Sequence, residues 1–169
     1  MKNKESKLIF QMVAVAMGVA LAVLLTSFVT IPLPSGAGFL NFTDVFIVFY
    51  SLFFGPWIGA AVGALSGLMV DIILGYAFYA PFTVVIKFVE GLVVGFLFLA
   101  IKNKLRYLAP FIGGAVMALL YFIPDYIALQ NFYACLVNLG LNLVQGMVGA
   151  TLGLIIYLVI KKTKLQPPI

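Results

Sequence analysis

A chain of 169 residues in which 64% are hydrophobic and only 9% charged departs from a soluble domain, where about half the residues are apolar and a quarter charged. Apolar runs of roughly 17–25 residues, each able to cross about 30 Å of hydrocarbon as helix, follow one another with almost nothing between them, which excludes a soluble domain. The net charge of +5 does not point to a nucleic-acid partner. Nine of the ten basic residues fall in three clusters, Lys2/Lys4/Lys7, Lys102/Lys104/Arg106 and Lys161/Lys162/Lys164, and basic juxtamembrane clusters mark the cytoplasmic side. The tenth is Lys87.

In chain order, breakers and apolar lengths predict helices at about 8–30, 41–54, 56–75, 81–101, 108–125 and 136–160. The first is apolar from Leu8 to about Ile31, too long for a signal-peptide core, and reads as a retained helix. It leads into Ile31-Pro-Leu-Pro-Ser-Gly-Ala-Gly38, whose prolines favour an extended course and whose glycines allow turns. This segment is either a lid or an ordinary connector. The second helix is short for a crossing, so a re-entrant hairpin over 41–75 competes with two full spans. Such a hairpin, uncovered in lipid, leaves backbone groups at its tip unsatisfied. The expectation is an all-α integral membrane protein, residues 1–169 forming one domain of six transmembrane helices. Six crossings place the N and C termini and all three basic clusters in the cytoplasm, with the loops near 31–40, 76–80 and 126–135 outside.

Charged residues inside spanning helices cost about 2.5–3.5 kcal/mol each on insertion scales and call for a partner or a wet cavity. Lys87 and Glu90 lie roughly 9 and 13 Å below the outer end of the fourth helix, and Asp71 roughly 6 Å below that of the third. Asn138, Asn142 and Gln145 stack along one face of the sixth helix at i, i+4, i+7. Tyr121 and Asp125 lie near the exit of the fifth, and Tyr76, Tyr79, Tyr126, Gln130 and Tyr133 in the outer loops. The inner halves, around 57–65, 94–101, 110–117 and 149–160, carry no Asp, Glu, Lys or Arg. Polarity this one-sided predicts a pocket open to the outside, because a proton relay or channel needs polar groups at successive depths.

Each candidate also has a structural reading. Lys87 and Glu90 are either a mutually neutralising pair or ligand contacts. Asp71 is a counter-ion for Lys87 or a ligand contact, and the amide ladder binds ligand or joins helices. Asp44, behind a capping Asn41, suits a local role at a helix start. The tyrosines fit an interfacial belt or, collectively, the walls of an aromatic pocket. Cys135 has no partner for an internal disulfide and reads as packing.

Small residues form a second pattern. Gly59, Gly63 and Gly67 repeat along the third helix, Ala16 and Ala20 along the first beside Ala14 and Gly18, and Gly91/Gly95 and Gly149/Gly153 add pairs. Such spacing lets helices approach closely in lipid. Intramolecular packing accounts for most of it, while the first-helix stripe also suits docking to another membrane protein. Catalysis finds no support: the chain has no His, no Cys cluster for a metal, no phosphate-binding Gly-Lys-Ser/Thr loop and no Gly-x-Ser-x-Gly elbow. No cofactor or metal is expected, and active transport would need an ATPase from elsewhere.

Three segments, Asn41-Phe-Thr-Asp-Val-Phe-Ile-Val-Phe, Phe54-Gly-Pro-Trp-Ile-Gly-Ala-Ala-Val-Gly63 running on to Asp71, and Gly75-Tyr-Ala-Phe-Tyr-Ala-Pro-Phe-Thr-Val-Val-Ile-Lys-Phe-Val-Glu-Gly91, together with the first-helix stripe, resemble the S components of energy-coupling factor (ECF) vitamin transporters. Thr43-Asp44 stands where many relatives have Gly-Asp. The resemblance implies a six-helix plasma-membrane protein that captures a water-soluble vitamin from outside, in a pocket built by the outer parts of helices four to six and the first outer loop. It implies assembly with a transmembrane T component and two ATP-binding subunits, with Ala14, Ala16, Gly18 and Ala20 as docking face, and release of cargo by toppling in the bilayer.

The substrate-binding residues expected on this basis are Asp71, Tyr79, Lys87, Glu90, Tyr121, Asn138, Asn142 and Gln145. Tyrosines, an amide ladder and a Lys/Glu pair suit a small flat heterocycle with hydroxyls, such as a hydroxymethylpyrimidine or pyridoxine-like molecule. Pantothenate, pairing its carboxylate with Lys87, is the alternative, and riboflavin is a further one. A small lipid-acting membrane enzyme and a structural membrane partner are the rival classes.

Overall fold

The computed structural model describes residues 2–36 and 38–163, with the side chains of Lys2, Asn3 and Lys4 outside the description. Lys164 and the side chains of Lys2 and Lys4, assigned above to the cytoplasmic clusters, therefore lie outside the described residues. Among the described residues six α-helices carry the fold: α1 (Lys2–Phe28), α2 (Thr43–Phe54), α3 (Pro56–Ile73), α4 (Ala80–Ala100), α5 (Ala109–Leu129) and α6 (Phe132–Lys162). Five are long and apolar enough to cross a membrane, and α2 is a shorter apolar helix. A 3-10 turn, Lys104–Leu108, precedes α5.

Helix starts follow the breakers. Pro56 opens α3, and Pro81 and Pro110 sit in the first turns of α4 and α5, where a missing N–H costs nothing. Asn131 caps α6 by accepting from the N–H groups of Tyr133 and Ala134. Two expected boundaries move. Helix α5 passes through Pro124 and ends five residues later at Leu129, and α6 begins at Phe132 rather than 136. The connection expected over 126–135 is thus largely helical, and Tyr126 and Tyr133 are exposed on helices rather than held in a loop. Proline terminates a helix by clashing with the preceding turn, but membrane helices accommodate it where neighbours re-satisfy the freed backbone.

The short second helix has a geometric explanation. Its twelve residues span only about 18 Å, yet Asp44, in its first turn, pairs with Lys87, which stands about 10 Å below the start of α4. The preceding segment therefore descends into the bundle before α2 begins. At its other end the Phe54 ring lies 6.1 Å from Phe10 of α1, so the Gly55 turn into α3 lies toward the end where α1 starts. Gly55 has φ of 96°, a conformation open to glycine. Helix α2 lies buried among α1, α3, α4 and α6: it is a central element, not a hairpin tip in lipid.

Glycines set the seams. A Cβ on Gly91 would lie 2.5 Å from the Ala60 amide nitrogen, where α4 meets α3, and one on Gly114 would lie 2.9 Å from the Gly146 backbone, where α5 meets α6. Toward the inner end, Val48, Leu52, Val94, Phe98, Ala109 and Tyr157 form an apolar cluster. Lys161 Nζ lies 3.5 Å from the Tyr107 hydroxyl, bringing the central and C-terminal basic clusters to this same end.

The first outer loop is more structured than its composition suggests. Ile31–Pro32 pairs antiparallel with Phe39–Leu40 as a minimal hairpin, β1–β2. Its turn is held by Leu33 N–H to Gly38 O and Gly36 N–H to Leu33 O. Leu33 and Phe39 point inward and are buried.

Candidate functional site

A polar cavity lies under this hairpin. Leu33, Gly38, Phe39 and Asn41 form its roof and side; Asp71 and Tyr76 come from α3 and the turn after it, Tyr79 and Thr83 from the start of α4, Tyr121 and Asp125 from α5, and Asn142 and Gln145 from α6. Its free volume is about 20 Å³, room for little more than one water molecule.

The hairpin is fastened from three directions. Ser35 donates to Asn138 Oδ1 (2.9 Å) and the Asn41 backbone N–H to Gln145 Oε1 (2.9 Å). Phe39 packs on Tyr76 with ring centroids 4.9 Å apart. Asn41 Oδ1 accepts from the Thr43 N–H and hydroxyl, turning the chain toward α2, whose N-cap is Phe42, without a side-chain capping bond, rather than the expected Asn41.

Beneath the cavity is an ionic floor. Lys87 Nζ is bonded to Asp44 and lies 3.2 Å from Glu90 Oε2. Gln145 Nε2 donates to the other Asp44 oxygen at 2.7 Å. The ammonium also faces the Tyr121 ring, 5.6 Å from its centroid, within cation–π range. Lys87 and Glu90 are both 0% exposed. A buried ion pair persists only where attraction and hydrogen bonds offset desolvation; here one ammonium serves two carboxylates. Glu90 Oε1 still has no hydrogen-bond partner.

The cavity walls form a second network. Tyr121 donates to Thr83 Oγ1 (3.0 Å), and Thr83 sits beside Asp71. Tyr79 donates to Asp125 Oδ1 (3.0 Å), with Asn138 alongside. Burial, reinforced by that carboxylate, pushes the Tyr79 phenol well above its usual range, so it stays a donor. The other oxygens of Asp71 and Asp125 are buried without partners.

Of the eight residues expected to bind substrate, Asp71, Tyr79, Tyr121, Asn142 and Gln145 line the cavity. Lys87 and Glu90 lie in the floor, engaged with Asp44, and Asn138 holds the hairpin. Asp71 is not the ion-pair partner of Lys87; Asp44 and Glu90 are. Asp44 is accordingly a member of the central network rather than a local helix-start charge. Thr83 and Asp125 were detectable, since Thr83 shares a face with Lys87 and Glu90 at i, i+4, i+7, and Asp125 with Tyr121 at i, i+4. Leu33 and Phe39 carried no such signal, being apolar residues in an apolar chain.

Outside the bundle, α1 and α3 flank an apolar groove of about 730 Å³, lined by Gln11, Met12, Val15, Ala16, Val19, Ala20, Trp57, Ile58, Ala61, Leu65 and Met69. Ala16 and Ala20 are exposed there, whereas Ala14 and Gly18 face inward. A Cβ on Gly18 would lie 2.8 Å from Tyr50 and Val62. Of the four stripe residues, positions 14 and 18 thus share one helix face, packed on α2 and α3, and 16 and 20 another, on the groove. Among the described residues no His/Cys/Asp/Glu group suited to a metal occurs.

Comparison with known proteins agrees with this architecture. A protein from Pyrococcus woesei described as "Uncharacterized protein in gap 3'region" is 35% identical over 135 residues, covering 76% of this chain and 86% of that protein. The thiamine precursor transporter HmpT of Lactococcus lactis subsp. cremoris (strain MG1363) is 27% identical over 164 residues, covering 96% of this chain and 95% of its own length. The family described as ECF-type riboflavin transporter, S component, matches residues 7–162. A multi-pass plasma-membrane protein with several membrane-length helices and a polar cavity on one side, this chain belongs to the ECF-type riboflavin transporter S component family.

Proposed function

We propose that this chain is the capture subunit of an ATP-driven importer for a small water-soluble vitamin or precursor, of the hydroxymethylpyrimidine or pyridoxine type, working with a T component and two ATP-binding subunits. The observation that carries the reading is the cavity closed above by the β1–β2 hairpin and below by the Lys87 network, with the apolar Val48–Phe98–Tyr157 cluster beneath. Such a site receives a ligand from one side and offers no polar route onward, so delivery requires a partner that moves or opens the whole body. The likeness to HmpT, a thiamine precursor transporter, supports a small heterocycle over riboflavin, as does the modest number of residues around the cavity. The groove beside Ala16 and Ala20 supplies the face for the T component.

Drug-sized ligands occupy sites of about 300–1,000 Å³, so a cavity of about 20 Å³ describes a shut state. The hairpin, held mainly by a few hydrogen bonds and two buried apolar side chains, is the element that opens. Native mass spectrometry of gently purified protein should detect a co-purifying vitamin. A complete vitamin panel without bound ligand or thermal shift would refute the capture role, turnover of a lipid would favour an enzyme, and indifference to every small molecule a structural partner.

A further inference from the structure

We infer that the cavity selects a small flat nitrogen heterocycle that presents an amino group or a cationic ring to Asp71 and Asp125, and rejects ligands bearing a carboxylate. This rests on the reading of the cavity as the capture site, and concerns what that site will accept.

Of the chain's five carboxylates, four are buried in the outer half: Asp44, Asp71, Glu90 and Asp125. Lys87 is the one buried cation among the described residues. Its ammonium is taken by Asp44 and Glu90, and it does not line the cavity. Gln145 directs one amide N–H to Asp44. Two hydroxyl donors at the wall are also committed, Tyr79 to Asp125 and Tyr121 to Thr83. Beside the Asn142 amide and the Tyr76 hydroxyl, which also line the cavity, Asp71 Oδ2 and Asp125 Oδ2 are buried acceptors with no hydrogen-bond partner, although Thr83 and Asn138 adjoin these two carboxyls.

A buried acceptor without a donor is costly, and a donor that reaches it recovers that cost. An incoming N–H, above all a charged one, therefore gains at both carboxylates. An anionic ligand brings a further negative charge to a wall with no free cation and is disfavoured. The rings of Phe39, Tyr76, Tyr79 and Tyr121 surround the same space, which suits a flat aromatic ligand. Pantothenate, which would need Lys87 for its carboxylate, does not fit this distribution.

The test uses matched probes on the purified full-length chain in detergent, read by isothermal titration calorimetry. One set is 4-amino-5-hydroxymethyl-2-methylpyrimidine and its 4-hydroxy analogue; the other is pyridoxamine and 4-pyridoxic acid. The amino member of at least one set should bind at least about tenfold tighter than its counterpart, the scale of one hydrogen bond to a charged group. Asp71→Asn and Asp125→Asn should each erode that preference, and because the preference is also measured in the unaltered chain, a variant that fails to fold does not blunt the test. Tight binding of pantothenate, or an amino preference unmoved by both variants, overturns the inference while leaving the capture role intact. No binding of any vitamin, together with failure to assemble with the T and ATP-binding subunits, overturns both.

Discussion

Lys87 meets two carboxylates with one ammonium, and the two are not equivalent. Asp44 uses both oxygens, one for Lys87 and one for Gln145, whereas Glu90 keeps Oε1 unpartnered. Removing the cation strands both acids in a dry interior, a change that typically costs 3–5 kcal/mol. Lys87→Met should therefore lower stability by about that amount, whereas Glu90→Gln, which discharges the less satisfied acid and keeps an oxygen facing Lys87, should cost under about 1.5 kcal/mol. Thermal unfolding in detergent measures both, and equal losses would contradict the asymmetry. Part of this site was legible from residue spacing: Lys87 and Glu90 share a helix face, and Asn138, Asn142 and Gln145 another. The role of Asp44 was not, because its partners lie 43 and 101 residues away and no local pattern encodes which helices meet.

Between helices, the seams depend on missing side chains. At Gly91 an added Cβ meets the backbone of Ala60, while at Gly140 nothing lies within 4 Å. Backbone cannot swing aside as a flexible side chain can, so Gly91→Val should push α4 from α3 and cost more than the 1–3 kcal/mol usual for overpacking. Gly140→Val should be close to neutral. Matching loss at the two sites, measured as the fraction of folded protein on size exclusion, would show that helix propensity rather than close approach is at stake. Glycine spacing made these seams readable as a class, but not their pairing. Helix ends were readable where proline opens a helix, as at Pro56, and misleading where a helix runs through one, as at Pro124, because the deciding neighbours come from elsewhere in the chain. The β1–β2 hairpin escaped for the same reason, since its inward anchors Leu33 and Phe39 are defined by the cavity they close.

For the molecule as a whole, the polar cavity and the apolar groove fall on separate faces. The cavity-lining polar groups gather under the hairpin, and the groove bordered by Ala16, Ala20 and Trp57 lies on the outer surface of α1 and α3. Ala16→Trp should fill that groove, leave vitamin binding within about twofold, and weaken assembly with the T component at least about tenfold, as measured by co-purification and by calorimetry on the same preparation. Equal loss of both would remove the groove from the docking role.

The shut cavity also has a kinetic consequence. A site with no vacancy for its cargo must open first, so capture is gated: at high vitamin concentration the observed association rate should level off at the opening rate rather than climb without limit. The measured dissociation constant would then equal the intrinsic one divided by the fraction of molecules standing open, and substitutions that loosen the Ser35–Asn138 latch would tighten equilibrium binding by raising that fraction, even though they remove a contact.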